Sequence, residues 1–370
     1  MASANPQAIP DAALRSRIAA CERITADEAL LLLDQWPLHN LGRLAFARKR
    51  ALHGDVATYV VNKQINPTNL CVHACSFCDY AAKPGDAHAY TLEEDEILAS
   101  LAEEPELTEV HIVGGLWKTW NLDRSLALVA RIRREYPDLW IKAFTAVEVD
   151  FFAKTTKSDW RTVLTALREA GVDGLPGGGA EVLNERIHQE LYAAKMGPDK
   201  WIAIHELAHQ LGMPTNATLL FGHIETSQEI VDHLITLRDL QDRAPGFEAF
   251  IPLAFQPGGT GLRTSLVSPM GCLRVIALSR LVLDNIPHIK AYWPTLQLET
   301  GIAALTFGAD DLDGTLGRER IMQLAGTGAP QGMASGFMER LIREAGQTPI
   351  RRNGRFGLLA TPPAQEAVPC

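Results

Sequence analysis

The amino-acid sequence predicts an α/β fold, a (β/α)8 TIM-type barrel with N-terminal helices and a short C-terminal extension. Three observations predict it. β-rich segments alternate with amphipathic helical ones from residue 58 into the three-hundreds. Polar or glycine-rich stretches recur where each strand would end, which is where barrels of this kind carry their chemistry. No low-complexity linker interrupts the middle of the chain, so one barrel accounts for it better than two domains. Strands separated by helices pair in parallel, because each crossover returns the chain to the same end of the sheet, and eight such units can close into a ring. A doubly wound open sheet is the competing arrangement.

Residues 1–57 read as a helical extension, with periodic apolar positions over Thr25–Trp36 and His39–His53. The barrel spans 58–330. Its expected strands are Thr58–Ile65, Glu109–Gly114, Ile141–Val147, Gly171–Leu175, Pro214–Phe221, Glu248–Phe255, His288–Trp293 and Ala303–Gly308. Helical patterns lie between them at Leu92–Ala102, Leu122–Glu135, Trp160–Ala170, Lys200–Leu211, Ile230–Gln241 and Gly271–Asp284, and Arg318–Ala325 follows the last strand. Residues 331–370 are expected to pack on the barrel or trail from it, with a loose, proline-rich tail from Thr361. The polar strand ends are Asn66–Asn69, Val113–Gly115, Glu148, Gly177–Glu181, Gly222–Thr226, Gln256–Gly259 and Gly308–Asp311.

The chain has 370 residues, 46% of them hydrophobic, enough for a large core, and a formal net charge of −9. An acidic surface attracts neither nucleic acid nor anionic membrane, and neither is expected as a partner. The one dense basic run, Arg351–Arg355, reads as solvated surface. No apolar run approaches the ~18 residues of a membrane span, and Met1–Arg17 lacks the apolar core of a signal peptide, so the expected location is cytoplasmic.

Two motifs compete as metal sites. His205-Glu206-Leu207-Ala208-His209 has the zinc-hydrolase form, since positions i and i+4 share a helix face. Its helix, however, belongs to the outer ring, away from the catalytic face, and Thr215 occupies the position of a third ligand. These histidines read as surface or cap residues. Cys71, Cys75 and Cys78 hold half of the six cysteines within eight residues, directly after the first strand. Three thiolates there can serve a zinc site, a redox pair or an iron–sulfur cluster. Structural zinc wants four ligands, whereas a [4Fe–4S] cluster on three cysteines leaves one iron free to bind a further ligand.

The spacing Cys71-x3-Cys75-x2-Cys78, with Phe77 before the third cysteine, resembles the signature of the radical S-adenosylmethionine (SAM) enzymes. The resemblance implies a [4Fe–4S] cluster, SAM and a one-electron reductant such as flavodoxin or ferredoxin. It also implies that Phe77, Gly114, Gly115, Gly178, Glu181 and Arg186 contact SAM, with the 177–181 glycines opening a helix. Within the superfamily, QINPTN (Gln64–Asn69), LPGGGAE (Leu175–Glu181), PTNATLLFGHIET (Pro214–Thr226), LDNIPHIKAYW (Leu283–Trp293) and GADDLDGT (Gly308–Thr315) resemble the aminofutalosine synthases of menaquinone biosynthesis. That resemblance implies addition of the 5′-deoxyadenosyl radical to the enol ether of 3-[(1-carboxyvinyl)oxy]benzoate, giving 6-amino-6-deoxyfutalosine. A substrate with two carboxylates needs a cationic or hydrogen-bonding wall, for which His111, Lys142, His223, Arg280 and Lys290 are the candidates. Asp79-Tyr80, Trp117-Lys118, Gln256 and Gln323 depart from the family pattern, so a paralogue acting on another alkene, or the related cyclic dehypoxanthine futalosine synthase reaction, is the alternative.

Overall fold

A computed structural model describes residues 11–317 and 319–359. The expected loose tail from Thr361 and the first residue of the expected helix Arg318–Ala325 lie outside those residues.

The strands are β1 (Val56–Val60), β2 (Asn62–Ile65), β3 (Glu109–Ile112), β4 (Trp140–Ala143), β5 (Thr215–Phe221), β6 (Phe247–Ala254), β7 (His288–Ile289), β8 (Asp311–Gly314) and β9 (Thr348–Arg352). Every pairing in the barrel wall is parallel. β8 pairs with β1, β2 with β3, β3 with β4, and β5 with β6 and β6 with β7. Single bridges Lys142 to Gly174, Leu175 to Thr215 and Lys290 to Asp311 carry the pairing across the remaining gaps. The wall therefore runs full circle, with β1 and β2 forming one position broken at Val61.

Strands β1 to β5 and β8 bury both faces. On β3, Val110 and Ile112 turn outward against Leu128, Val129 and Ile132 of the helix Leu122–Glu135, and all are fully buried. Glu109 and His111 alternate with them and face the lumen, as the period of two requires.

Four expectations need correction. The expected strand Gly171–Leu175 is reduced to two bridges, because Gly171 (φ 117°) still caps the helix Trp160–Ala170 in the left-handed region. Ala303–Gly308 is the end of the helix Leu298–Ala304 and a turn; the strand comes later, at Asp311–Gly314. Its acidic residues obscured it, since carboxylates inside a barrel need cations that lie far away in sequence. The helix expected over Arg318–Ala325 covers only Ile321–Leu324, and a further helix follows at Ser335–Glu344. Finally, the basic run is no solvated surface: β9 pairs with β1 from Val56↔Thr348 to Val60↔Arg352. Arg352 is 0% exposed, with Nε 2.5 Å and Nη2 3.1 Å from the Asp311 carboxylate and Nη1 3.6 Å from Glu109.

These charges seal the amino-terminal end of the lumen. Lys142 meets Glu109 at 3.2 Å, Lys290 meets Asp313 at 3.0 Å, and Thr58 donates to Asp311 at 2.6 Å. Burial pushes the Glu109 carboxyl up, but Lys142, Lys290 and Arg352 together outweigh it and bring it down to about 2.

Candidate active site

β2 delivers the chain to the carboxyl end of the barrel at Ile65, and Asn66 to Tyr80 forms the loop that carries the three cysteines. Backbone hydrogen bonds fix it on several sides: Cys71 N–H to Ala82 O (3.1 Å), Val72 N–H to Leu116 O (2.9 Å) and Ser76 N–H to Leu191 O (3.0 Å). Lys83 Nζ donates to the carbonyls of Cys71 (2.7 Å) and His73 (2.9 Å). Tyr80 is buried, with its hydroxyl donating to Thr68 O at 2.8 Å and lying 2.8 Å from the Tyr90 hydroxyl. Asp79 accepts from Gly259 N–H at 2.6 Å and so ties the loop to the segment after β6. The thiols themselves are half-buried and free. Burial raises the Cys75 thiol to about 11 and also raises Cys78.

Gly114 and Gly115, after β3, lie against this loop. A Cβ at Gly115 would stand 2.2 Å from Leu70 O, and Gly115 N–H donates to Thr68 O at 2.7 Å. Only glycine permits that approach. Gly114 N–H donates to Glu148 Oε1 at 3.1 Å, and burial lifts the Glu148 carboxyl to about 7 against the hydrogen bonds from Thr145 and Gly114.

Gly178 lies in a turn, and the segment 177–181 does not open a helix; the next one begins at Glu185, capped by Asn184. The reason is local: Glu181 takes a positive φ of 46°, which breaks any helical run. Its carboxylate pairs with Lys195 Nζ, which stands over the rings of Tyr192 (4.5 Å) and Phe77 (5.3 Å). Phe77 meets Tyr192 edge-on at 6.0 Å. Arg186 is held by Glu229 at 2.6 Å and Glu190 at 3.0 Å.

The cationic candidates separate by depth. His111 faces the lumen level with Gln64 and Lys142, its register partners, and its Nε2 is buried without a hydrogen-bond partner. Burial, helped by Lys142, lowers its imidazole to about 3, so it is neutral at physiological pH. His223, after β5, sets Nδ1 3.0 Å from Glu225 and likewise leaves Nε2 buried and unpartnered. Lys142 and Lys290 belong to the sealed ion network. Arg280 lies at the opposite end of the barrel from the cysteines, fully buried, donating to Gly308 O (2.8 Å), Pro287 O (2.9 Å) and Asp310.

His205 and His209 are neither surface nor cap residues. They are buried at 0% and 8%, and both bond the same Thr215 hydroxyl, at 2.9 Å and 2.8 Å. Thr215, in the position of a third ligand, bonds Nδ1 of His205 and Nε2 of His209, the Nε2 of His205 is buried without a partner, and His205 stacks on Trp201 at 3.8 Å. A polar pair on the inner face of an outer helix looks the same in sequence as one on its outer face.

Sequence reading missed Lys195, the Tyr80/Tyr90 pair and the cluster of His53, His288 and Asp310. That cluster lies at the amino-terminal end of the barrel, with His288 Nδ1 2.6 Å from Asp310, and seals it. Only the acidic run around Asp310 signalled it.

Over residues 65–237 the chain matches the family model of the radical SAM superfamily, and over 244–365 that of the CofH/MqnC C-terminal region. It is 39% identical over 359 residues to the aminodeoxyfutalosine synthase of Thermus thermophilus, covering 95% of this chain and 96% of that one. The chain belongs to the radical SAM superfamily. It is also 35% identical to the aminodeoxyfutalosine synthase of Streptomyces coelicolor (94% of this chain, 93% of that one). The cyclic dehypoxanthine futalosine synthase of the same organism is 37% identical, covering 91% and 86%. Among solved structures, methylornithine synthase superposes with a TM-score of 0.70 at 17% identity, covering 91% of this chain and 97% of that one. The FeFe-hydrogenase maturase HydG from Carboxydothermus hydrogenoformans gives 0.70 at 14% identity, covering 93% and 81%. Such distant likeness speaks for the barrel alone.

A radical SAM enzyme works with a [4Fe–4S] cluster and SAM, and the thiol loop fits the cluster. Among the described residues the three sulfurs do not gather within 4.8 Å of one another, as ligands of a single ion would. A cluster that offers each thiolate its own iron suits the wider spread. The half-buried loop, pinned by backbone bonds, leaves all three sulfurs outside any disulfide.

Proposed function

We propose that this radical SAM enzyme forms 6-amino-6-deoxyfutalosine from SAM and 3-[(1-carboxyvinyl)oxy]benzoate, in the futalosine route to menaquinone, in the cytoplasm. The observation that carries the proposal is the 39% identity to an aminodeoxyfutalosine synthase through barrel and C-terminal region alike. When bound, the cluster and SAM supply a 5′-deoxyadenosyl radical once a donor such as flavodoxin or ferredoxin delivers one electron.

Cys71, Cys75 and Cys78 hold the cluster. Gly114, Gly115 and Gly178 let backbone approach SAM, and Phe77 packs beside it. Glu181 and Arg186 complete that side, Glu181 oriented by Lys195 and Arg186 by Glu229. His111 and His223 each present a buried, unpartnered Nε2, the kind of atom that a bound substrate satisfies. A neutral His111 can bond a substrate oxygen without moving a proton.

Reduced enzyme incubated under nitrogen with SAM and the enol ether yields a product whose mass is that of the enol ether plus a 5′-deoxyadenosyl group, less carbon dioxide and one hydrogen atom. Formation of 5′-deoxyadenosine with no adduct would contradict the proposal. A second reading, a paralogue that adds the adenosyl group to another alkene, is favoured by four departures from the family pattern: Asp79, Trp117, Gln256 and Gln323. Asp79 and Gln256 tie the segment after β6 to its surroundings, Gln256 through Nε2 to Thr295 O at 3.1 Å. Trp117 is half-buried in the turn after Gly115.

A further inference from the structure

An open cleft of about 210 Å³ at the carboxyl end of the barrel is lined by Glu319, Arg320, Gln323 and Gln331. Its one cation differs from those of the lumen. Lys142, Lys290, Arg280 and Arg352 each face a carboxylate at hydrogen-bond range. Arg320 faces none among the described residues; its guanidinium lies over the Tyr90 ring, 4.5 Å from the centroid. The neighbouring Glu319 does not neutralise it, because that buried carboxyl turns inward to accept from Ile321 N–H (2.9 Å) and Met322 N–H (2.8 Å). Gln323 gives its oxygen to Gln331 at 2.6 Å and keeps its own NH2 without a partner among the described residues.

This cation is fixed to the scaffold that holds the thiols. Arg320 N–H donates to Asn66 Oδ1 at 3.2 Å, Asn66 Nδ2 donates to Val113 O at 3.0 Å, and the Tyr90 hydroxyl under the guanidinium meets Tyr80, two residues beyond Cys78. Stacking on an aromatic face leaves the edge of a guanidinium, with its fork of N–H donors, turned outward. A carboxylate matches that fork in a bidentate pair, and an amide NH2 beside it adds a third donor.

We propose that Arg320, stacked on Tyr90 and assisted by Gln323, binds the aryl carboxylate of the substrate. The assignment rests on the reaction proposed above and specifies which of the two carboxylates is meant. The carboxylate on the enol carbon leaves as carbon dioxide, and a strong ion pair there would stabilise the ground state against its loss. The aryl carboxylate keeps its charge from substrate to product, so a fixed cation serves it throughout. Gln323 is a donor whose charge does not change with pH.

The test is calorimetric binding to anaerobically reconstituted protein, comparing wild type with Arg320→Gln and Arg320→Lys. Two ligands are used, 3-[(1-carboxyvinyl)oxy]benzoate and plain benzoate, which retains only the aryl carboxylate. Arg320→Gln should weaken both on the order of 30-fold or more, with SAM affinity, iron content and far-UV circular dichroism unchanged. Arg320→Lys, which keeps the charge but loses the fork, should fall between. Equal binding of benzoate by wild type and Arg320→Gln would overturn the assignment, as would failure of wild type to bind it. Wild type that binds benzoate in an Arg320-dependent way but forms no adduct from the enol ether would overturn the proposed reaction and leave Arg320 as a carboxylate site.

Discussion

The two ends of the barrel treat the same residue types in opposite ways. At the amino-terminal end, Arg352 and Asp311, Lys290 and Asp313, Lys142 and Glu109, and Arg280 and Asp310 are each buried and each paired. At the carboxyl end, three thiols form no disulfide, the His223 Nε2 is buried without a partner, and Arg320 rests on a ring instead of a carboxylate. The difference teaches how to tell structural polarity from functional polarity. A buried charge paired within the chain holds the fold, whereas the unpaired thiols and cation gathered at the carboxyl mouth are available to a ligand.

The sharpest way to break this contrast is to exchange roles across it. Serine at Cys71, Cys75 or Cys78 should abolish SAM cleavage, measured as 5′-deoxyadenosine, while the thermal midpoint of the cluster-free protein stays at the wild-type value. A fall in that midpoint would mean that the thiols are structural. Asp311→Ala should do the reverse: it strands Arg352 in the wall and costs about 3–5 kcal/mol by denaturant titration. Unchanged stability would show that the sealed end is not what closes the barrel.

His205→Ala probes the motif that most resembles a catalytic site. It removes the stack on Trp201 and one bond to Thr215, and should cost about 2 kcal/mol, with SAM cleavage per folded molecule unchanged. Lost cleavage at full stability would reopen the zinc reading. The smallest effect concerns pH. Glu109 ionises at about 2 in the folded state, below its ordinary 4.5, so its contribution to stability is fully present above 4.5 and is lost as pH falls toward 2. Glu109→Gln should therefore flatten the fall of the thermal midpoint across that window, and an unaltered slope would contradict the pairing.

The carboxyl end was the more legible in sequence. Cys71, Cys75 and Cys78 sit on one loop, and Gly114 and Gly115 end a strand, so local spacing carried the information. The strand-and-helix alternation gave the barrel for the same reason. What sequence concealed depends on partners far along the chain. β9 looked like a solvated basic run because Asp311, its partner, is 41 residues away from Arg352. Asp310, Asp311 and Asp313 looked like a loop because Arg280, Arg352 and Lys290 neutralise them from other elements. His205 and His209 looked exposed because Thr215, which bonds them both, lies on the next strand. Arg320 gave no signal at all, since a cation without a partner is defined only when its surroundings are known.

The central claim, that the loop after β2 holds an iron–sulfur cluster while His205 and His209 hold the fold, is tested most directly by metal analysis of protein purified without oxygen. The account predicts about four irons per chain, lost on substitution of Cys75 and retained on substitution of His205. Stoichiometric zinc without iron, or iron that survives loss of Cys75, would contradict it.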